Sequence, residues 1–151
     1  MNFSASKVVL PELFEALAQM TQLDTVDWAL ACRFAEHWKM AVGDALLDLK
    51  FVDETTLAKA LAKAHNIAYL SGSELVCDFS DIDFEAFQDL MSVGAAPLQD
   101  QRLAICNPYD DLRGNLGPRL CQREWVVTER SVLFEALRKQ GLSEWIDGGV
   151  R

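Results

Sequence analysis

Clustered positive charge is what this sequence most lacks. Its 151 residues carry 14 Lys and Arg against 23 Asp and Glu, a net charge of −9. Nucleic acids and anionic membrane surfaces both require grouped cations. The balance therefore argues against either partner and favours one with a basic patch. No apolar run approaches the roughly 20 residues that cross a bilayer, and the N-terminus has no charged-then-apolar leader pattern, so direct membrane insertion is not expected. Cysteine is sparse: Cys32, Cys77, Cys106 and Cys121 form no C-x-x-C pair, and none lies near a histidine in sequence. Zinc needs several such ligands converging, so no metal is expected. The thiols read as free and buried, in keeping with a reducing cytoplasm. A glycine-rich phosphate loop followed by Lys and Ser/Thr is also missing, and with it the machinery of nucleotide hydrolysis.

What is present is a stretch written twice. Slid along itself by 29 positions, the step from Leu13 to Val42, the chain places apolar on apolar. Leu17 falls on Leu46, Leu23 on Val52, Trp28 on Leu57 and Cys32 on Leu61; Ala16, Ala29, Ala31 and Ala35 fall on Ala45, Ala58, Ala60 and Ala64. A fixed period carrying one helix-turn-helix unit marks a repeat whose copies bury their apolar faces on each other. Leu13, Leu17 and Met20 form one helical stripe, as do Val42, Leu46 and Leu49. Pro11 suits a first helical turn, where its missing N–H costs nothing. Asp24 and Asp53 supply carboxylates to cap the second helix of each copy. Two antiparallel helix pairs are expected within Pro11 to His65.

This spacing resembles the N-terminal domain of bacterial type II secretion and type IV pilus assembly ATPases, the GspE, PilB and MshE group. In the cyclic di-GMP-binding branch, two tandem motifs read roughly R-L-G-x-x-L-x-x-x-G-x-L-x-x-x-x-L-x-x-x-L-x-x-Q at the same period. The leucine frame is kept here. The arginine positions hold Glu12 and Ala41, the first glycine position Phe14 and Gly43, the second Thr21 and Lys50, and the glutamine position Ala35 and Ala64. The resemblance implies a non-catalytic docking or regulatory domain. It would be cytoplasmic, at the inner-membrane face, and would contact the cytoplasmic part of an inner-membrane protein or other domains of its own parent chain. The alternative it implies is a cyclic di-GMP module, such as the cytoplasmic tail of an inner-membrane glycosyltransferase involved in phage adsorption. If that ligand were held, Leu13, Leu17, Val42, Gly43 and Leu46 would line it. With both motif arginines replaced, no binding at micromolar concentration is expected, and no other cofactor is implied.

The expected class is α+β: a four-helix tandem repeat over 1–66, a small α/β sandwich with a mixed sheet over 67–141, and a tail or linker over 142–151. Residues 1–10 read as a loose lead-in. Ile67 to Leu70 reads as a strand, followed by a turn at Ser71-Gly72-Ser73, and Asp81 to Met91 as a helix. Ala95 to Leu98 and Arg102 to Cys106 form a hairpin around Gln99-Asp100-Gln101. Leu112 to Cys121 carries a short irregular helix, and Trp125 to Val127 a strand. Thr128 caps a final helix.

No catalytic constellation rises above background, so an enzymatic role ranks last. His37 and His65 end the second helix of each copy, where positive charge favours a helix C-terminus. The acidic pairs at Asp53-Glu54, Asp81/Asp83 and Asp110-Asp111 are explained by caps and turns. Tyr109-Asp110-Asp111 reads first as a turn that starts a helix. The feature that departs from plain repeat grammar is aromatic. Phe34 stands where the other copy has Lys63, and Trp38 where it has Ile67. An apolar residue opposite a charged counterpart marks a candidate partner surface, built from Phe34 and Trp38, beside Asp27 and Glu36, and flanked by Arg33 and Lys39.

Overall fold

The computed structural model describes residues 4–108 and 116–143, with side chains from residue 12 onward. The chain forms two compact units, Met1–Asn66 and Ile67–Arg151. The class is the α+β arrangement expected, with helices first and a small mixed sheet second.

The first unit holds α1 (Ser4–Met20), α2 (Thr25–Trp38), α3 (Val42–Asp48) and α4 (Glu54–His65). Leu23 and Val52 lie between helices, as the repeat requires. The two second helices start alike. Asp24 Oδ1 accepts from the Asp27 N–H at 2.8 Å, and Asp53 Oδ1 accepts from the Thr56 N–H at 2.7 Å. Thr56 holds the Asp53 carboxyl below its usual range. Both helices end on a left-handed residue, Lys39 (φ 55°) and Asn66 (φ 56°). Packing partners run across the copies: α1 lies on α4 and α2 on α3. Period and stripe fix which faces are apolar, but not which helix covers which. Leu13, Leu17 and Leu46 have no exposed surface, and Val42 is buried with them. Each such leucine is worth about 1.5–3 kcal/mol relative to an exposed one.

Two local expectations give way. The first helix begins at Ser4, so Pro11 stands inside it and residues 4–10 are helical rather than a lead-in. Proline removes one intrahelical hydrogen bond, and the continuous helix tolerates that loss. At His65 burial opposes the positive charge that a helix C-terminus favours. Burial lowers its pKa below the usual histidine value, against a smaller upward pull from Glu12.

In the second unit the strands are β1 (Ala68–Tyr69), β2 (Ala95–Pro97), β3 (Leu103–Ile105) and β4 (Trp125–Val127), in sheet order β1-β4-β3-β2. β4 runs parallel to β1 and β3, and β2 is antiparallel to β3, with Ala96 opposite Ala104. The hairpin closes where the Arg102 N–H meets Asp100 Oδ1 at 3.1 Å and Gln101 turns left-handed. A segment at Cys77 bridges to Leu98 beside β2. Around the sheet lie α5 (Phe84–Val93), the short α6 (Pro118–Cys121) and α7 (Arg130–Gly141). α5 starts three residues later than expected, because Asp83 caps it by accepting from the Ala86 N–H at 2.8 Å, and it runs two residues past Met91. A single 3-10 turn, Gly72–Glu74, replaces the simple turn; Ser71 caps its start and forms a capping box with Glu74. The close approach here is glycine's doing: a Cβ on Gly72 would meet both Val132 methyls at 2.9 Å. Tyr109-Asp110-Asp111, the start of the expected 112–121 helix and residues 144–151 of the tail lie outside the described residues.

Candidate functional site

The candidate surface lies on α2. Trp38 is 60% exposed and Phe34 half-buried, with ring centroids 6.3 Å apart. His37 meets Trp38 edge-on at 4.9 Å. Arg33 and Lys39 are exposed, as is Glu36, while Asp27 is half-buried. The structure extends this patch to residues the sequence reading missed. Val26 is 73% exposed and Leu30 51%. With Phe34 and Trp38 they fall four residues apart along one helix, a row about 18 Å long at 1.5 Å per residue. The 29-residue match held the signal: the counterparts of Val26, Leu30 and Phe34 are Thr55, Lys59 and Lys63, all exposed.

The motif positions tell a second story. Leu13, Leu17, Val42 and Leu46 are consumed by the helical core, and Gly43 alone of that group is half-exposed. A Cβ on Gly43 would stand 3.3 Å from Leu57 Cδ2. The same place in copy one is Phe14 against Trp28, with ring centroids 5.3 Å apart and planes tilted by 44°. One copy brings backbone close to a leucine where the other stacks two aromatic rings. The second glycine position also divides. Lys50 is left-handed (φ 62°), and the Phe51 N–H reaches back to the Leu46 carbonyl at 3.0 Å. Thr21 instead closes α1 with its hydroxyl, donating to the Leu17 carbonyl at 2.7 Å and accepting from the Leu23 N–H at 3.1 Å. Glycine fits such a left-handed helix end without strain; lysine and threonine solve it differently.

In the second unit a partly buried polar pair forms that the sequence did not announce. Tyr69 on β1 donates its hydroxyl to Glu129 Oε2, and the Thr128 hydroxyl meets Glu129 Oε1 at 3.3 Å. Burial and Glu129 push the Tyr69 phenol up to about 12. Glu129, not Thr128, takes the cap position of α7. This pair ties β1 to the start of α7. A groove beside α7 is lined by Leu75, Cys77, Val132 and Lys139, and burial there pushes the Cys77 thiol up. The four cysteines are partly exposed rather than fully buried, and none is in a disulfide. Among the described residues, no three metal-binding side chains gather, and no helix is long and apolar enough to cross a membrane.

A solved structure of MshE with cyclic di-GMP superposes on this chain with a TM-score of 0.67 at 19% identity, covering 84% of this chain and 96% of that one. The two share a fold. Identity this low establishes the MshE-type architecture, helical tandem and small sheet together, and no more. No protein-family model matches the sequence, and no curated protein does so either.

Proposed function

We propose that this chain is a non-catalytic regulatory domain of MshE-type fold, which attaches a larger bacterial assembly through copy one. The observation that supports the reading is the exposed row Val26, Leu30, Phe34 and Trp38, set against Thr55, Lys59 and Lys63 at equivalent places in copy two. Aromatic and aliphatic side chains with a charged rim make a modest docking site. The partner is the cytoplasmic part of an inner-membrane protein or another domain of the parent chain, which places this domain at the cytoplasmic face. A photo-reactive residue in place of Leu30, activated in cells, tests this. Covalent capture of one defined partner, lost when Trp38→Ala is added, supports the reading. Adducts that are diffuse, or unchanged by Trp38→Ala, overturn it.

Cyclic di-GMP is the second reading, favoured by the shared fold with a protein solved with that ligand and by Gly43 beside Leu57. Against it stand Glu12 and Ala41, where charge-assisted bidentate contacts to phosphate would be needed. Calorimetry at micromolar ligand should show no saturable heat. A one-to-one isotherm would reverse the order of the two readings, and Arg33, Lys39 and Gly43 would then be the residues to replace first.

A further inference from the structure

We infer that the groove along α7 is a second docking site, which takes an amphipathic helix of a partner protein with a carboxylate on its flank. It lies wholly in the second unit and is independent of the surface on α2. One wall is the segment beside β2, held extended at the sheet's margin by the bridge from Cys77 to Leu98. Leu75, Cys77 and Phe79 alternate along it and so share one face, and all three line the groove. The other wall is α7, which packs on β2 and β3 and presents Val132 and Ala136. The groove has a volume of about 710 Å³ and follows α7 from Ser131 to Ser143, about 18 Å at 1.5 Å per residue. Both ends are fixed. At the start of α7, Gly72 presses on the Val132 methyls. At its finish, Phe79 meets Phe87 edge-on with ring centroids 6.1 Å apart, and Phe87 borders Gly141. Both walls are small at mid-length, with Cys77 on one and Ala136 on the other, so the groove has room there for a large apolar anchor. The length suits about three helical turns. The walls facing the groove are side chains rather than open peptide groups, which suits the apolar stripe of a helix rather than an added strand. The rim supplies the charge. Arg138 donates to both Glu135 oxygens, at 3.1 and 2.8 Å. Glu135 is thereby neutralised, and the exposed Lys139 sets the sign of the rim. The complementary group on the occupant is a carboxylate beside its apolar stripe.

Alkylation of Cys77 tests this, read cysteine by cysteine by mass spectrometry, with Cys32, Cys106 and Cys121 as internal controls. The probe is a stapled helical peptide of about 14 residues, with Leu at i, i+4 and i+7 and Glu beside them. At about 1 mM it should slow Cys77 about tenfold, for a dissociation constant of roughly 100 μM, and leave the other three thiols unchanged. Ala136→Trp, which fills the groove, should remove the effect of the peptide. Lys139→Glu, at an exposed position, should leave the melting temperature unchanged and weaken the peptide about two- to fivefold. No protection in the parent chain overturns the inference, and so does equal protection by a peptide with Ser in place of each Leu. Protection that neither variant alters overturns it too. If decanoate at the same concentration protects equally well, the groove takes small amphipathic anions and not a helix. If Cys77 slows with chain concentration alone, the occupant is a second copy. Either result removes the proposal, and none of these outcomes touches docking at α2, which the cellular capture at Leu30 reads separately.

Discussion

The two copies of the helical unit share a start and differ in nearly everything that faces outward. Their second helices begin on aspartate caps of the same geometry, within 0.1 Å in donor–acceptor distance. Beyond the caps, α4 buries Leu57, Ala58, Ala60, Leu61 and Ala62, whereas α2 buries only Ala31 and Ala35. Ala58 and Ala62 are covered, while their counterparts Ala29 and Arg33 are exposed. The two copies therefore share a helical frame and differ in how far it is covered. Copy two is the more buried, and copy one kept an open face and lined it with Val26, Leu30, Phe34 and Trp38. The motif positions differ as well: Phe14–Trp28 answers Gly43–Leu57.

Exchanging those two solutions should give the largest effect. Phe14→Gly with Trp28→Leu imposes the pattern of copy two on copy one and leaves a gap where two half-buried rings met. A loss of about 3 kcal/mol is expected. Gly43→Phe, the reverse change, forces a ring against Leu57 and should cost about 2 kcal/mol. Denaturant unfolding measures both, and a neutral result for either would mean the two places are not equivalent.

Smaller effects of opposite sign are expected at the second glycine position. Lys50→Gly relieves a left-handed lysine and should stabilise the fold by up to about 1 kcal/mol, after the entropy that glycine adds to the unfolded chain. Thr21→Gly loses the hydroxyl closure of α1 and should cost about 1 kcal/mol. Equal signs in thermal melting would show that the two helix ends are alike after all.

Histidine 65 should sharpen the contrast through pH. Its folded pKa lies below the unfolded value of about 6.5, so the unfolded chain binds the extra proton. The stability linked to it is full above about pH 6.5 and is lost as pH falls toward the lowered folded value. His65→Gln should flatten that part of the melting-temperature profile between about pH 7 and 5, and an unchanged slope would mean the group is solvated. The smallest effects on folding belong to the open face: Leu30→Lys and Trp38→Ala should each stay within about 0.5 kcal/mol of the parent. If both melt several degrees lower, these side chains belong to the core and the docking surface loses its basis.

Local chemistry carried most of what was legible in the sequence. The period placed Leu23 and Val52 in turns, and Asp24 and Asp53 at caps, because those depend on residues three or four apart. β1, the β2–β3 hairpin and β4 were readable from short apolar runs and the turn at Asp100. Legibility ended where contacts are distant in sequence. Nothing local says that α1 packs on α4 rather than on α2. Tyr69 and Glu129 are 60 residues apart and meet only because β1 and β4 are parallel neighbours. Pro11 has the chemistry of a first helical turn, and only the longer helix that begins at Ser4 places it inside. Of the surface on α2, Phe34 and Trp38 were visible as aromatics. Val26 and Leu30 carry no aromatic signal, and their exposure of 73% and 51% shows only in the structure.

The segment beside β2 has a consequence for the fate of the chain in concentrated solution. A sheet's outer strand carries unpaired peptide groups that template the addition of foreign strands, the first step toward fibrils. Here the Asp78 N–H reaches the Pro97 carbonyl at 2.9 Å, and the Gln99 N–H reaches the Val76 carbonyl at 2.9 Å. That margin is therefore already occupied, and Pro97 itself has no N–H to offer. The opposite margin, β1, is two residues long, too short to seed growth. Both rims of the sheet are therefore poor templates for strand addition.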